Sequence, residues 1–370
     1  MRRVCILPGH LRMTGAVRVM LNLARSLVER GVEVDLFLTK DPGDLAPMIP
    51  RGVHLIVGGG SSFRSLPALA RYIRRRRPDA VLAAHQADNI VGVVASALAR
   101  VPSRVVATVH NDRSIRPGVS RLRLLAMTTA MKLAYRRAYA VVAVSDGVAN
   151  NTAQVLGLPR ERIRVIYNPT ITTQLLDAAA RPVDHPWLAT PDVPVILGVG
   201  RLTEQKDFAS LIRSFAIVRQ TMPARLMILG EGEDRLSLEE LTRELMVDAD
   251  VALPGTTPNA LAYMKRAAVL VATSRWEGFP GVLVEALAVG TPVVATDCPS
   301  GPREILDGGR YGRLVPVGDI EAIAAAVLAT LRDSPQRDPL IARGRSFSAE
   351  RAVDEYLALL TPATAVGAAG

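Results

Sequence analysis

The feature that most constrains the fold is an alternation of short apolar segments with helical segments, which occurs twice along the chain. In the first half, seven apolar segments rich in Val, Ile and Ala predict strands at residues 4–7, 32–38, 53–57, 80–84, 105–109, 140–144 and 162–166. Helical patterns lie between several of them, at residues 16–29, 66–77, 90–99 and 122–138. Strands that alternate with helices predict a parallel sheet covered on both faces.

The alternation stops at residues 171–193, where prolines accumulate, and then starts again. Because prolines interrupt regular structure, this stretch predicts a linker. Six further strands are predicted at residues 195–199, 225–229, 250–253, 268–272, 292–296 and 312–316, with helices at 208–221, 236–246, 259–266 and 348–360. The repeated pattern indicates a second sheet of the same kind.

The predicted fold class is therefore α/β, with two doubly wound, Rossmann-like domains at residues 1–170 and 194–345. Residues 346–370 are a C-terminal helix and tail, which we expect to pack back on the first domain. Ligands of such sheets bind beyond the carboxyl ends of the strands. With the two sheets facing each other, the predicted site is the cleft between them.

Composition indicates a globular protein and argues against other classes. Of the 370 residues, 49% are hydrophobic and 22% are charged, which is not the balance of a disordered chain. No apolar run reaches the ~18 residues needed to cross a bilayer, and the run after the basic start is too short for a signal peptide. The two cysteines, Cys5 and Cys298, have no metal-ligand spacing. We therefore expect a cytoplasmic protein without a disulfide framework.

The formal charge of +10 is distributed unevenly along the chain. Residues 1–190 carry a net charge of +15 and residues 191–370 a net charge of −5. This imbalance predicts an anionic partner for the first domain. Nucleic acid fits poorly, because aromatic residues make up only 4% of the chain and no zinc-finger, helix-turn-helix or RNA-binding signature occurs. An anionic membrane surface or a phosphate-bearing acceptor fits better. The basic stretch 113–137, together with the four arginines at 74–77, is either a membrane-facing surface or a solvated face.

One run, residues 274–304, combines carboxylates with a predicted helix start. Glu277 and Glu285 bracket a Gly-Phe-Pro-Gly turn, and Pro280 suits the first turn of a helix. The N-terminus of a helix favours an anion such as a phosphate. Free N–H groups are predicted there at three residues: Gly281, Val282 and Leu283. An ordinary turn that caps an amphipathic helix is the alternative for the carboxylate spacing alone.

Two other patterns carry weaker hypotheses. The pairs Gly198-x-Gly200 and Gly230-x-Gly232 suggest dinucleotide binding, but neither has the third glycine at the required place. The pattern Asp-x-Asp at 248–250 precedes a strand, whereas a metal-binding motif of this type would follow one. We interpret it as a solvated loop and predict no metal site.

The Glu-x7-Glu spacing of Glu277 and Glu285, inside S-x-x-E-G-F-P, resembles the signature of the retaining glycosyltransferases of family 4, also called glycosyl transferases group 1, which have the GT-B fold. The segment G-R-L-x-x-x-K at 200–206 is similar to a second motif of that family. The resemblance covers nearly the whole chain and is strongest over residues 198–319. It departs from the family at 14–19, where the sequence TGAVRV replaces Gly-Gly-Ala-Glu-Arg-Val. The second-glycine position corresponds to Gly15.

The resemblance implies roles for particular residues. Arg201 and Lys206 would hold the donor diphosphate and stabilise its growing negative charge, which removes the need for a metal or other cofactor. Glu277 would bind sugar hydroxyls, Glu285 would bind the ribose, and His110 would lie near the transferred sugar. His85 is a weaker candidate than His110. The implied catalytic residues are His110, Glu277, Arg201 and Lys206. The implied donor-binding residues are Gly15, Arg201, Lys206, Leu253, Pro254, Glu277, Gly278, Phe279, Pro280, Gly281, Val282, Leu283 and Glu285.

The function implied is retaining, metal-independent transfer of a hexose or N-acetylhexosamine from a UDP-sugar to an acceptor hydroxyl, in bacterial surface-glycan or glycoconjugate assembly. The acceptor would be a glycan, a lipid-linked molecule or a small molecule, and the enzyme would be cytoplasmic and peripheral on the inner face of the membrane. Two alternatives remain open, a non-hydrolysing UDP-sugar epimerase and a basic nucleic-acid-binding protein.

Overall fold

A computed structural model describes residues 3–11, 15–111, 121–189, 193–333 and 335–360, without the side chains of residues 121–123. The chain divides into two compact units. The first unit comprises Met1–Pro169 and Ala349–Gly370, and the second unit comprises Thr170–Ser348. Each unit is an α/β structure built on its own sheet.

The first unit contains, within the described residues, a seven-stranded parallel sheet in the order β3-β2-β1-β4-β5-β6-β7. Its strands are β1 (Arg3–Gly9), β2 (Glu33–Leu38), β3 (Val53–Val57), β4 (Ala80–Ala83), β5 (Arg104–Val109), β6 (Ala140–Ala143) and β7 (Ile163–Val165). Its helices are α1 (Gly15–Glu29), α2 (Leu66–Arg76), α3 (Gln86–Ala99), α4 (Arg121–Arg137), α5 (Asp146–Leu156) and, from the end of the chain, α15 (Ala349–Leu360).

The C-terminal helix α15 completes the core of the first unit. Its apolar side chains Val353 and Tyr356 are buried in the same cluster as Leu23 and Leu27 of α1. An ion pair of 2.7 Å joins Arg30 Nη1 to the Asp354 carboxylate at the edge of this contact. The amphipathic spacing of α15 therefore reflects burial against α1.

The second unit contains, within the described residues, a six-stranded parallel sheet in the order β10-β9-β8-β11-β12-β13. Its strands are β8 (Val195–Val199), β9 (Arg225–Leu229), β10 (Val251–Gly255), β11 (Val269–Ala272), β12 (Val293–Thr296) and β13 (Arg313–Val315). Its helices are α6 (Thr173–Ala179), α7 (Pro186–Ala189), α8 (Phe208–Thr221), α9 (Arg235–Glu244), α10 (Ala260–Arg266), α11 (Gly281–Ala288), α12 (Pro302–Ile305), α13 (Ile320–Asp333) and α14 (Arg337–Arg345).

The predicted fold class is confirmed, and all thirteen predicted strands occur with ends within two residues of the prediction. In both sheets the chain winds outward from a central strand, β1 or β8, first to one side and then to the other. This reversal of strand order is the point at which doubly wound sheets bind ligands, beyond the carboxyl ends of the strands.

The stretch 171–193, for which the sequence predicted a linker, contains α6 and α7 in the structure. The hydroxyl of Thr172 caps α6 by accepting a hydrogen bond of 3.2 Å from the N–H of Leu175. Thr172 is the residue in the sequence that could have predicted the start of α6. Helices α13 and α14 were not predicted from the sequence either. Gly344 of α14 lies so close to α11 that an added Cβ would be 2.2 Å from the N of Ala288.

None of the described helices combines the length and the apolar composition that crossing a membrane requires.

Candidate active site

The loops that follow the adjacent strands β8 and β11 bring together two residues that the sequence singled out. The Lys206 ammonium forms a hydrogen-bonded ion pair with Oε1 of Glu277, although the two residues are 71 positions apart. Both side chains are mostly buried, with exposed fractions of 18% for Lys206 and 9% for Glu277. Such charge-assisted bonds are stronger than neutral ones, so the pair fixes one loop against the other.

A third residue holds the same carboxylate. The hydroxyl of Ser274 donates a hydrogen bond of 2.8 Å to Oε1 of Glu277. In the part of the chain that the structure describes, the second oxygen of Glu277, Oε2, has no hydrogen-bond partner. A carboxylate oxygen of this kind can accept hydrogen bonds from ligand hydroxyls. Lys206 has three N–H donors, so two remain after the bond to Glu277.

Arg201 supplies a second cation at the carboxyl end of β8. Its side chain is exposed and makes no ion pair or hydrogen bond with any described residue. A guanidinium keeps its charge at all ordinary pH values and matches phosphate oxygens in pairs. Arg201 and Lys206 therefore place positive charge along one loop that begins where β8 ends.

Helix α11 begins inside the run 274–304, as the sequence predicted. Pro280 is the residue before the helix, and Gly281 is its first residue. The N–H groups of Gly281 and Val282 have no backbone acceptor among the described residues. The prediction for Leu283 was wrong, because its N–H donates to the Pro280 carbonyl at 3.1 Å and its side chain is fully buried. The tight first turn pairs the Leu283 N–H with a carbonyl, so two free N–H groups remain rather than three.

The remaining residues of this motif are mostly buried. Phe279 packs edge-on against Phe347, with ring centroids 5.4 Å apart, so it anchors the turn in the second unit. Gly278 and Pro280 are buried as well. The side chain of Glu285, in the second turn of α11, is only 5% exposed.

Leu253 and Pro254, two of the predicted donor-binding residues, lie on the edge strand β10. The carbonyl of Leu253 accepts a hydrogen bond of 2.8 Å from Nη2 of Arg235. Pro254 is exposed and has no N–H to donate, and the pairing of β10 with β9 shifts register between Ala252 and Gly255. The regular pairing of the sheet is therefore interrupted at Pro254.

The second Gly-x-Gly pair, Gly230 and Gly232, has a steric role that was not predicted from the sequence. A Cβ at Gly230 would be 1.8 Å from the carbonyl oxygen of Gly200, and a Cβ at Gly232 would be 2.1 Å from that of Leu202. The N–H of Leu202 in turn donates to Glu231 O at 3.0 Å. The glycines allow the loop after β9 to lie directly on the loop that carries Arg201 and Lys206.

The pattern at 248–250 lies at the start of β10, in a short 3-10 helix. Asp250 forms an ion pair of 2.6 Å with Nε of Arg219, which accounts for this carboxylate. Across the described ranges, no group of three or more His, Cys, Asp or Glu side chains is arranged to hold a metal ion.

In the first unit, His110 follows the carboxyl end of β5. The Thr108 hydroxyl donates to the Ala83 carbonyl at 2.7 Å, so it can only accept in its 2.9 Å contact with His110 Nε2. This assigns the proton of the neutral ring to Nε2 and leaves Nδ1 as an acceptor. Nδ1 has no hydrogen-bond partner among the described residues. Burial, together with a smaller effect of the nearby His85, lowers the pKa of His110 to about 3, so the ring is neutral at physiological pH.

His85 and Asp88 lie at the neighbouring strand end, after β4. His85 Nδ1 is 3.8 Å from the Asp88 carboxylate, and the pKa of His85 is lowered by burial and by the charge of His10. Burial raises the pKa of Asp88 to about 6, although a hydrogen bond from Ser62 opposes the shift. Gly9 makes room for this carboxylate, since a Cβ there would be 2.7 Å from Asp88 Oδ2.

Gly15 is the first residue of α1, is exposed, and has no atom within 4 Å of the position of an added Cβ. No contact within the chain therefore requires glycine here. The stretch 113–137 lies partly outside the described residues, which resume in α4. On α4, Leu125, Thr129 and Leu133 are exposed along one face, and Arg136 continues it.

Comparison with known proteins identifies the family and the fold of the chain. The family description Glycosyltransferase Family 4 matches residues 13–174, and Glycosyl transferases group 1 matches residues 184–347. The chain is therefore a glycosyltransferase of the GT-B class. It belongs to family 4 of these enzymes.

Proteins similar to this chain in sequence and in structure agree with this family assignment. The chain is 29% identical, over 355 residues, to the lipopolysaccharide core biosynthesis glycosyltransferase LpsE of Rhizobium meliloti, covering 94% of this chain and 95% of that one. It is 33% identical over 187 residues to the lipopolysaccharide 1,6-galactosyltransferase of Salmonella typhimurium, covering 49% of each. The structure of Anabaena HepE in complex with UDP has a TM-score of 0.78 at 20% identity, covering 97% of this chain and 98% of that one, and shows the same fold.

Proposed function

We propose that the protein is a retaining, metal-independent glycosyltransferase that moves a hexose or N-acetylhexosamine from a UDP-sugar to an acceptor hydroxyl. The observation that carries the proposal is the Lys206–Glu277 ion pair between the loops after β8 and β11, beside the two free N–H groups of Gly281 and Val282. A cation, a hydroxyl acceptor and a helix N-terminus together match a sugar diphosphate. UDP as the nucleotide is supported by the fold shared with HepE, whose structure contains UDP.

In the proposed reaction, the bond between C1 of the donor sugar and the β-phosphate oxygen breaks, and UDP leaves with the bonding electrons. The acceptor oxygen forms a new bond to C1 on the same face, and its proton passes to the leaving phosphate. Arg201 and Lys206 stabilise the negative charge that grows on the diphosphate, so they supply the charge that a metal supplies elsewhere. Glu277 Oε2 accepts hydrogen bonds from sugar hydroxyls, and Glu285 accepts those of the ribose.

We assign the acceptor side to the first unit. His110 is neutral and carries its proton on Nε2, so Nδ1 serves as a fixed hydrogen-bond acceptor near the reacting sugar rather than as an acid. Gly15, predicted to contact the donor, lies at the start of α1, where an added Cβ would meet no atom within 4 Å, so a ligand has room to approach it. Assembly of a bacterial surface glycan is supported by the relatives, two of which are named for lipopolysaccharide.

The first unit also presents a surface for an anionic membrane. The exposed fractions of Leu125 and Leu133 on α4 are 64% and 48%, and Arg136 and Arg137 follow them. Exposed leucines next to arginines on one helix can bind such a surface through apolar burial and charge together. Sedimentation with phosphatidylglycerol vesicles should retain the protein, and Leu125→Ser with Leu133→Ser should release it. Equal retention of the double variant, or equal retention on phosphatidylcholine, contradicts the assignment.

Three measurements test the proposed reaction. A thermal-shift screen over nucleoside diphosphates and their sugars should show the largest rise in melting temperature with uridine compounds, because a ligand that binds only the folded chain stabilises it. NMR of the product should show that the anomeric configuration of the donor is retained. Turnover should persist in EDTA, because no metal is required. Inversion, or loss of turnover in EDTA that Mg²⁺ restores, contradicts the corresponding part. Conversion of UDP-N-acetylglucosamine without acceptor to its epimer identifies an epimerase instead.

A further inference from the structure

The loops that carry Lys206 and Glu277 are joined by bonds other than the ion pair itself. The N–H of Arg275 donates to the Gln205 carbonyl at 2.8 Å, and the Gln205 side-chain amide donates to the Trp276 carbonyl at 2.8 Å. The Thr273 hydroxyl lies 2.9 Å from the carbonyl oxygens of both Lys206 and Asp207. These contacts involve the residues on either side of the ion-paired lysine and the residues just before the glutamate.

Asp207, the residue after Lys206, has an unusual backbone. Its φ is +49° and its ψ is +47°, in the left-handed region that residues other than glycine seldom adopt. Such a conformation persists only where the surroundings hold it. Asp207 is 6% exposed, and its carboxylate accepts from the N–H of Ser210 at the start of α8.

Arg275 is the side chain that holds this carboxylate from the opposite loop. Its Nε donates to Asp207 Oδ2 at 3.1 Å, and Nη1 lies 3.7 Å from Glu204. The buried charge of Asp207 therefore has a cationic partner, and that partner is two residues before Glu277. A brace of this kind fixes the turn at 206–207 relative to Glu277.

We infer that Asp207 and Arg275 are positioning residues, which hold the Lys206 ammonium against Glu277 in the geometry that receives the donor diphosphate. The inference rests on the proposed function of Lys206. Positioning of a charged group within a fraction of an ångström matters, since a displacement of about 1 Å can cost on the order of 100-fold in rate. Neither side chain needs to touch the donor for this effect.

The test uses the full-length chain with UDP as the binding probe, and hydrolysis of whichever UDP-sugar stabilises the protein most. Arg275→Gln and Asp207→Asn should each lower kcat about 10-fold or more, with a smaller change in KM, because the charge acts mainly in the transition state. Arg275→Lys should recover part of the loss. Asn tolerates the left-handed conformation and can still cap α8, so Asp207→Asn remains informative if Arg275→Gln folds poorly.

Arg219→Gln is the matched control, since Arg219 forms an ion pair of similar geometry with Asp250 in the same unit. It should leave kcat within about 2-fold, since only a general loss of stability would lower it. A double-mutant cycle on UDP affinity tests whether the brace acts through the lysine. Arg275→Gln should weaken UDP binding in the native chain. It should have little further effect when it is added to Lys206→Ala. Fully additive losses in this cycle, or a native kcat in both brace variants, overturn the inference. If Lys206→Ala itself binds UDP and turns over normally, the proposed function fails instead.

Discussion

The strand ends of the two units have the same topology and opposite electrostatics. In the second unit, the loops after β8 and β11 hold charged groups in contact, an ion-paired Lys206 and Glu277 with Arg201 along the same loop. In the first unit, the corresponding ends carry groups whose pKa values shift toward the neutral form. Burial lowers the pKa of His110 and raises that of Asp88.

This difference shows that the doubly wound sheet fixes where a site lies, while the local contacts of a few side chains fix its charge. In the second unit, the charged side chains are held in place by pairing with each other, an arrangement that suits a diphosphate. The first unit buries its titratable groups without a full set of partners, as suits uncharged hydroxyls. Variants and pH dependence in each unit can test the two halves of this contrast.

The largest expected effect concerns the loops that support the charged site. In Gly230→Ala, the new Cβ would overlap the Gly200 carbonyl oxygen at 1.8 Å, at a residue whose φ is +153°. Overpacking and backbone strain together should destabilise the second unit by about 4 kcal/mol. Gly15→Ala in the first unit is the matched control, because its Cβ meets nothing within 4 Å. Thermal unfolding should show a large loss for the first variant and almost none for the second; similar melting temperatures contradict the steric role.

Removal of the central cation should affect chemistry more than stability. Lys206→Ala deletes the ammonium that lies against Glu277, and donor turnover should fall at least about 100-fold, equivalent to about 3 kcal/mol of transition-state stabilisation. Lys265→Ala, an exposed lysine in the last turn of α10, is the control and should retain its rate. Turnover of the UDP-sugar, followed as UDP release, distinguishes them. Equal rates would mean that the charged site is not the donor site.

The neutral site can be tested through pH. Since the pKa of Asp88 is raised from 3.8 to about 6, the folded chain keeps this proton up to pH 6, whereas the unfolded chain loses it near pH 4. The contribution of Asp88 to stability therefore falls as pH rises from 4 to 6 and is constant above that. The total change is about 3 kcal/mol. Asp88→Asn removes this dependence.

The measurement is the difference in unfolding free energy between the native chain and Asp88→Asn at several pH values. Other groups that titrate, including His85 at 3.8 Å and His110, are present in both proteins, so their contributions largely cancel. The variant should gain stability relative to the native chain between pH 4 and 6. A difference that does not change with pH would show that Asp88 is ionised throughout, and the contrast between the units would disappear.

The sequence predicted some of these features and could not predict others. Strands were found because runs of Val, Ile and Ala bounded by turns identify buried parallel strands, as at residues 53–57 and 195–199. Lys206 and Glu277 were found through motif resemblance, and the structure places them in contact. The brace was not predicted, because Asp207 and Arg275 are 68 positions apart and the left-handed φ of Asp207 has no signal in the sequence. The free N–H of Leu283 was predicted wrongly, because closure of the first turn of α11 depends on backbone geometry.

The smallest expected effect concerns the charge of the buried Glu285 carboxylate in the second unit. Glu285→Gln keeps the shape of a side chain that is 5% exposed in α11, removes its charge and replaces one acceptor oxygen by an NH2 group. Hydroxyl groups bind a carboxylate more strongly than an amide by about 1 to 1.5 kcal/mol, so UDP affinity should fall about 10-fold. Isothermal titration with UDP and with uracil separates ribose and base contacts, since uracil lacks the ribose and its binding should not change. Loss of binding for both ligands with an unchanged melting temperature would move Glu285 from the ribose to the base, and the charged site would extend further toward β10 than proposed.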